Sequence, residues 1–222
     1  MEPSVKSYRI VFSKTGRIRF VGHLDLTQAL RRAIKRANIP VKFSAGFNPH
    51  MEFAVAMPLS LGMEGLGEFA DIMINDESGL FDAAKIAELL KETVMEGIEI
   101  LGVYPIPSGA KSSAASIEKA EYTVELPLVT DFKFVSSRID EMISADEIIV
   151  IKKTKKAETS ADIREDIFEL EANEKNGKVS VRMIIAAGSL RNLKPSLVMK
   201  HLMTDEVDAK YTRNRLMLSG QN

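Results

Sequence analysis

The residue pattern predicts an α+β protein built from two successive units, each ordered β-α-β-β-α-β. Three observations carry this. Apolar or alternating runs interleave with two amphipathic helical stretches over residues 8–104; a segment with little to bury follows; and a similar order of patterns returns over 122–218. That order is the split-βαβ, ferredoxin-like arrangement. The expectation is therefore two tandem ferredoxin-like domains, residues 1–105 and 120–222, joined by a linker at 106–119.

The elements are read in chain order. Residues 8–12 (YRIVF) and 17–21 (RIRFV) are expected as strands about a Lys14-Thr15-Gly16 turn. A helix should follow at 26–37. Asp25 is its expected N-cap, Gln28 completes a capping-box spacing, and Leu26, Leu30, Ala33, Ile34 and Ala37 make one apolar face. Short strands are expected at 41–44, 53–59 and 69–74, a helix at 81–95 and a closing strand at 98–104. Two prolines, a glycine and repeated Ser/Ala mark 105–119 as connecting chain. In the second half, strands are expected at 122–128, 147–153, 163–171, 178–185 and 209–218. Helices fill 132–144 and 195–203, and Asn176-Gly177 reads as a tight hairpin turn.

Charge is distributed unevenly. Residues 1–50 carry ten Lys/Arg against Glu2 and Asp25, whereas residues 51–110 carry eleven Asp/Glu against Lys85 and Lys91. The remainder balances at 18 against 18, so a net charge of −1 conceals a strongly basic stretch followed by an acidic one. A polyanion responds to that local field rather than to the total.

The chain has no cysteine, which excludes disulfides, thiolate nucleophiles, Cys-ligated zinc and a thiolate-held iron–sulfur cluster on this chain. No apolar run reaches the length of a membrane span, and MEPSVKSYRI holds no apolar core before Tyr8. The expected setting is the cytoplasm, with no membrane partner.

The candidate anion-binding residues centre on the first helix. At 100° per residue Arg31, Arg32, Lys35 and Arg36 fall within about 140° of arc opposite the apolar face. Lys14, Arg17 and Arg19 precede them, and together these cations suit a phosphate backbone. In the second domain Lys152, Lys153, Lys155, Arg164, Arg191 and Lys194 are further candidates, the last two just before a helix start. His23 and His50 are the weak catalytic candidates, as an acid–base pair acting on RNA. Each histidine equally fits a purely structural role. A site of His23, Asp25 and His50 has metal-ligating chemistry, but Asp25 is better explained as a cap, so no metal is expected. Walker, G-x-G-x-x-G, G-x-S-x-G and H-E-x-x-H motifs are all missing, as is the aromatic signature of an RNA-recognition motif.

The string F-S-K-T-G-R-I-R-F at 12–20, H-L-D at 23–25 and the loop Gly46-Phe47-Asn48-Pro49-His50 closely resemble the bacterial radical-SAM-associated (radical-SAM-linked) protein family, a domain of unknown function. Looser matches are KKTKK at 152–156, D-I-R at 162–164 and N-L-K-P at 192–195. Ala45, Met51 and Glu52 depart from the family pattern, and Glu52 sets a negative charge beside the loop. Members of that family occur alone or fused to cobalamin-binding radical-SAM proteins. The resemblance implies a non-catalytic accessory to a radical-SAM enzyme, which would itself hold any iron–sulfur cluster; no cofactor is expected on this chain. Combined with the basic face, it points to RNA binding or substrate presentation. The alternatives are an adaptor docking an acidic protein surface and a metal-independent ribonuclease using His23 or His50.

Overall fold

The computed structural model describes residues 5–153, 158–204 and 207–220, the side chains at 152 and 153 excepted. The chain is a mixed α+β protein of two compact units, Met1–Ser116 and Ile117–Asn222.

In the first unit, strand β1 (Val5–Lys14) is followed by helix α1 (His23–Arg36), strands β2 (Phe53–Val55) and β3 (Glu64–Asn75), helix α2 (Ala83–Thr93) and strand β4 (Ile98–Ile106). The sheet order is β4-β1-β3 with β2 on β3, and each of these pairings is antiparallel. Period-2 alternation turns Tyr8, Ile10 and Phe12 of β1 toward the helices. There they meet Leu26, Leu30 and Ile34 of α1, Ile72 and Ile74 of β3 and Ile86 and Leu90 of α2 in one buried cluster. On the strand's other face Arg9 sits opposite Asp71 and pairs with it at 3.1 Å.

Several expectations fail in this unit. The strand expected at 41–44 is reduced to two isolated bridges, Val41 to Ile74 and Phe43 to Met51. Residues 17–21 are not a strand: Gly16–Phe20 forms a 3-10 turn. Gly16 starts it at φ +69°, and the turn buries Ile18 in the cluster instead of continuing the sheet. Asp25 is not the N-cap either. The helix begins three residues before the expected start, with Gly22 as the extended N-cap residue and the Leu26 N–H donating to the Gly22 carbonyl. Asp25 occupies the first turn, where its carboxylate still suits the positive end of the helix. The strand expected at 53–59 stops at Val55, before Pro58, while the one expected at 69–74 runs from Glu64.

The linker expected at 106–119 is structured at both ends. β4 reaches Ile106, a short helix α3 spans Ser113–Ser116, and the next strand starts at Ile117. Ser113 is buried, its N–H donating to Asp71 Oδ2 at 2.6 Å, so a strand carboxylate anchors what composition reads as loose chain.

In the second unit β5 (Ile117–Glu125), α4 (Phe132–Ser144), β6 (Ile149–Lys153), β7 (Glu158–Asp162), β8 (Ile167–Lys175), β9 (Lys178–Ala186), α5 (Pro195–Met203) and β10 (Lys210–Leu218) follow in order. Its sheet runs β10-β5-β9-β8, again with antiparallel pairings. The segment expected as a sheet strand at 147–153 instead pairs with β7 as a separate two-stranded hairpin. The strand expected from Ile163 is displaced to Ile167 by a 3-10 turn at Arg164–Asp166. Asn176 (φ 54°) and Gly177 (φ 72°) both lie in the left-handed region, the conformation a two-residue hairpin turn between Lys175 and Lys178 requires.

Candidate nucleic-acid interface

The cations of the first fifty residues separate into a structural set and an open set. Lys14 belongs to the first. It is completely buried, and its ammonium donates to the carbonyls of Arg19 (3.2 Å) and Val21 (2.7 Å). Those carbonyls end the 3-10 turn and lead into α1, so Lys14 staples the chain where it enters the helix. Its expected place on the anion-binding surface is thereby corrected: a buried ammonium holding backbone carbonyls does not reach a phosphate. Arg36 is likewise committed, donating to the Thr93 carbonyl at the last turn of α2, where a cation offsets the negative helix end. Lys6 pairs with Asp76, as Arg9 does with Asp71.

The open set is Arg17, Arg31, Arg32 and Lys35. Arg17, Arg32 and Lys35 are exposed and make no ion pair with a described residue. Arg31 is half-buried: its Nε is enclosed with no partner among the described residues. Arg19 sits between the sets, its guanidinium 4.7 Å from the centre of the mostly exposed Phe20 ring. Helical geometry puts Leu24, Gln28, Arg31 and Lys35 on one stripe of α1 and Arg32 beside it.

The acidic stretch at 51–110 makes no ion pair with this stripe among the described residues, and four of its carboxylates hold local structure. Asp71 holds Arg9 and the Ser113 N–H. Asp82 caps α2, accepting from the Lys85 N–H at 2.8 Å. Glu64 accepts from the Gly16 N–H. Asp76 accepts from the Ser78 hydroxyl, the Phe81 N–H and Lys6. These bonds, the Ser78 contact foremost, lower its pKa to about 2 against the opposing effect of burial.

The histidines are not brought together by hydrogen bonding. His23 is the first residue of α1, its Nδ1 enclosed without a partner among the described residues and its carbonyl accepting from the Thr27 hydroxyl. His50 closes the loop 44–50. Its Nδ1 lies 2.7 Å from Ser44 Oγ, its N–H donates to the same oxygen, and its carbonyl accepts from the Ser44 N–H. Among the described residues no group of three or more His, Asp or Glu side chains is placed to hold a metal ion, so His23, Asp25 and His50 do not assemble as one.

The second unit corrects the sequence reading further. Arg164 donates to the carbonyls of Ile143, Ala145 and Ile167 and so closes the end of α4. Arg191 is neutralised by Glu165 (3.2 Å) and Asp166 (2.5 Å), which together raise its pKa. Neither is a free anion ligand. Lys194 remains exposed, at the N-cap of α5. Lys155 and the side chains of Lys152 and Lys153 lie outside the described residues.

The family described as "Uncharacterized protein conserved in bacteria (DUF2344)" matches residues 7–195, spanning both units. The chain belongs to this family. No curated protein is detectably similar in sequence. Among solved structures, the "Crystal Structure of a Cbf5-Nop10-Gar1 Complex" aligns at TM-score 0.50 and 12% identity, over 94% of this family member and 48% of that chain. The member thus spans about half the length of that structure, and the likeness concerns the fold alone. An "Unknown Protein from Galdieria sulphuraria" aligns at TM-score 0.28 with 13% identity, covering 94% of this chain and 99% of its own. That agreement is too slight to bear on fold or function. No helix among the described residues is long and apolar enough to cross a membrane.

Sequence reasoning missed Phe20 and Phe47 as surface features. Both sit in motifs it singled out, F-S-K-T-G-R-I-R-F and G-F-N-P-H, but an isolated phenylalanine reads by default as core. Only the structure shows Phe47 fully exposed and Phe20 mostly so.

Proposed function

We propose that this chain is an RNA-binding accessory protein whose contact surface is the outer face of α1 with the 3-10 turn before it. The observation that supports this most is charge left uncompensated. Arg17, Arg32 and Lys35 stay exposed and make no ion pair with a described residue, whereas Lys6, Arg9, Lys14 and Arg36 of the same unit are each tied to a carboxylate or carbonyl. Holding several like charges on one face costs free energy, and a polyanion that releases its counterions recovers it. The order and pairing of the elements support a finer view of the architecture: each unit is a ferredoxin-like domain, the second carrying β6 and β7 as an inserted hairpin.

The motif resemblance adds the second part of the proposal. The protein accompanies a radical-SAM enzyme, presents RNA or another substrate to it, and leaves any iron–sulfur chemistry to that partner, since this chain has no thiolates.

The test is RNA affinity as a function of salt. Wild type should lose affinity steeply, and the triple variant Arg31→Gln, Arg32→Gln, Lys35→Gln should flatten the log–log slope by roughly two to three units, about 0.7–0.9 per phosphate contact. An unchanged slope would rule the α1 face out. If the triple variant instead loses co-purification with a protein partner, and that association resists nuclease, the adaptor reading takes its place. RNA cleavage abolished in a His23→Ala, His50→Ala double variant would establish the ribonuclease reading.

A further inference from the structure

We infer that the loop at 44–50 is a stacking finger for an unpaired RNA base, with Phe47 as the stacking ring. This deepens the proposed function and rests on it: it names the substrate class as RNA with single-stranded, unstacked bases rather than continuous duplex.

The argument begins with the loop's stiffness. Ser44 and His50 close it through three contacts: Ser44 N–H to the His50 carbonyl at 2.9 Å, His50 N–H to Ser44 Oγ at 3.1 Å, and Oγ to Nδ1 at 2.7 Å. Below that closure Phe43 pairs with Met51, Met51 is buried, and the Glu52 N–H donates to the Lys42 carbonyl. Pro49 restricts the chain at the tip, and Gly46 takes φ +121°, a backbone shape closed to residues with a side chain. The loop is thus a short, tied structure in which residues 45–50 are all exposed.

At its tip stands Phe47, fully exposed. A phenylalanine in water contributes nothing to the core, and here a tied loop holds it there. The backbone beneath the ring is already ordered, so contact with a flat partner costs little beyond the ring's own rotamer freedom. The charges beside it choose the partner's chemistry. The tip contains no Asp, Glu, Lys or Arg, and its base carries one cation, Lys42, next to Glu52. That balance does not grip phosphate. A nucleic acid reaching the loop is therefore held by a base face, with the exposed Asn48 amide available to a base edge. Phosphates are left to the α1 cations.

The experiment compares an unstructured oligouridylate with a blunt RNA duplex of equal length, on the full chain. The chain has no tryptophan, so Phe47→Trp introduces a single fluorophore at the loop tip. The expected results are a fall of roughly tenfold in single-strand affinity for Phe47→Ala, little change for duplex, and quenching of the Phe47→Trp emission by single strand but not by duplex. If Phe47→Ala, melting as wild type does, binds the single strand equally well, or loses both RNAs alike, the inference is overturned. The proposed function would then survive as long as the α1 triple variant still flattens the salt slope. Wild type that binds neither RNA overturns both.

Discussion

The two units use their arginines differently. In the second, the described arginines are spent internally. Arg182 lies between Glu121 (3.0 Å) and Glu169 (2.7 Å), which raise its pKa, and Arg215 shares Glu121 at 2.7 Å. Arg164 and Arg191 close turns. In the first, a similar set of structural cations exists, but Arg17, Arg32 and Lys35 are surplus to it. The lesson is that a basic residue signals a partner only after its local acceptors have been counted. Arg32 and Arg36 are neighbours on the same helix, yet one is open and the other holds the end of α2.

Substitutions can break this comparison or sharpen it. The largest effect expected is on RNA: the α1 triple Gln variant should lose more than tenfold in affinity at moderate salt with an unchanged melting temperature, whereas Arg191→Gln should leave RNA affinity as it was. Equal losses from both would collapse the distinction between the units. Next is Lys14→Met, which strands the Arg19 and Val21 carbonyls in a buried setting. It should destabilise the protein by about 3 kcal/mol in urea unfolding, whereas a mere surface cation would cost nearly nothing. Arg164→Gln, its counterpart in the second unit, should cost about 1–2 kcal/mol by the same measurement, since its acceptors are nearer water. Arg36→Gln should cost about 0.5 kcal/mol through the end of α2 and leave the RNA salt slope untouched.

The subtlest is a pH profile. The Asp76 carboxyl titrates near 2 in the folded protein, below the ordinary carboxylate range. Its contribution is complete above about pH 4 and disappears as pH falls toward 2. The stability difference between wild type and Asp76→Asn should therefore shrink across that interval. A difference that stays constant down to pH 2 would show that Asp76 does not act through its charge.

Much of the architecture was legible in advance where periodicity was long and local chemistry agreed with it. The apolar spacing of α1 and α2, the Pro195 start of α5 and the Asn176-Gly177 turn all lie where the sequence puts them, within a few residues. The failures come where contacts distant in sequence override a local pattern. Residues 17–21 alternate like a strand, but Gly16 and the pull of Ile18 into the core make them a turn. The segment 147–153 has strand chemistry, but its partner is β7, which polarity had hidden.

By itself the sequence determined the α+β class, the places of the main helices, the lack of any thiolate and the gathering of cations before residue 50. Those follow from composition and from interactions between residues a few positions apart. Tertiary structure decided which cations are free and which aromatics face water. Whether Lys14 is a ligand or a staple depends on two carbonyls that the 3-10 turn folds back over it, and whether Phe47 is core or finger depends on Ser44 meeting His50. Burial belongs to the folded chain, not to any residue in it.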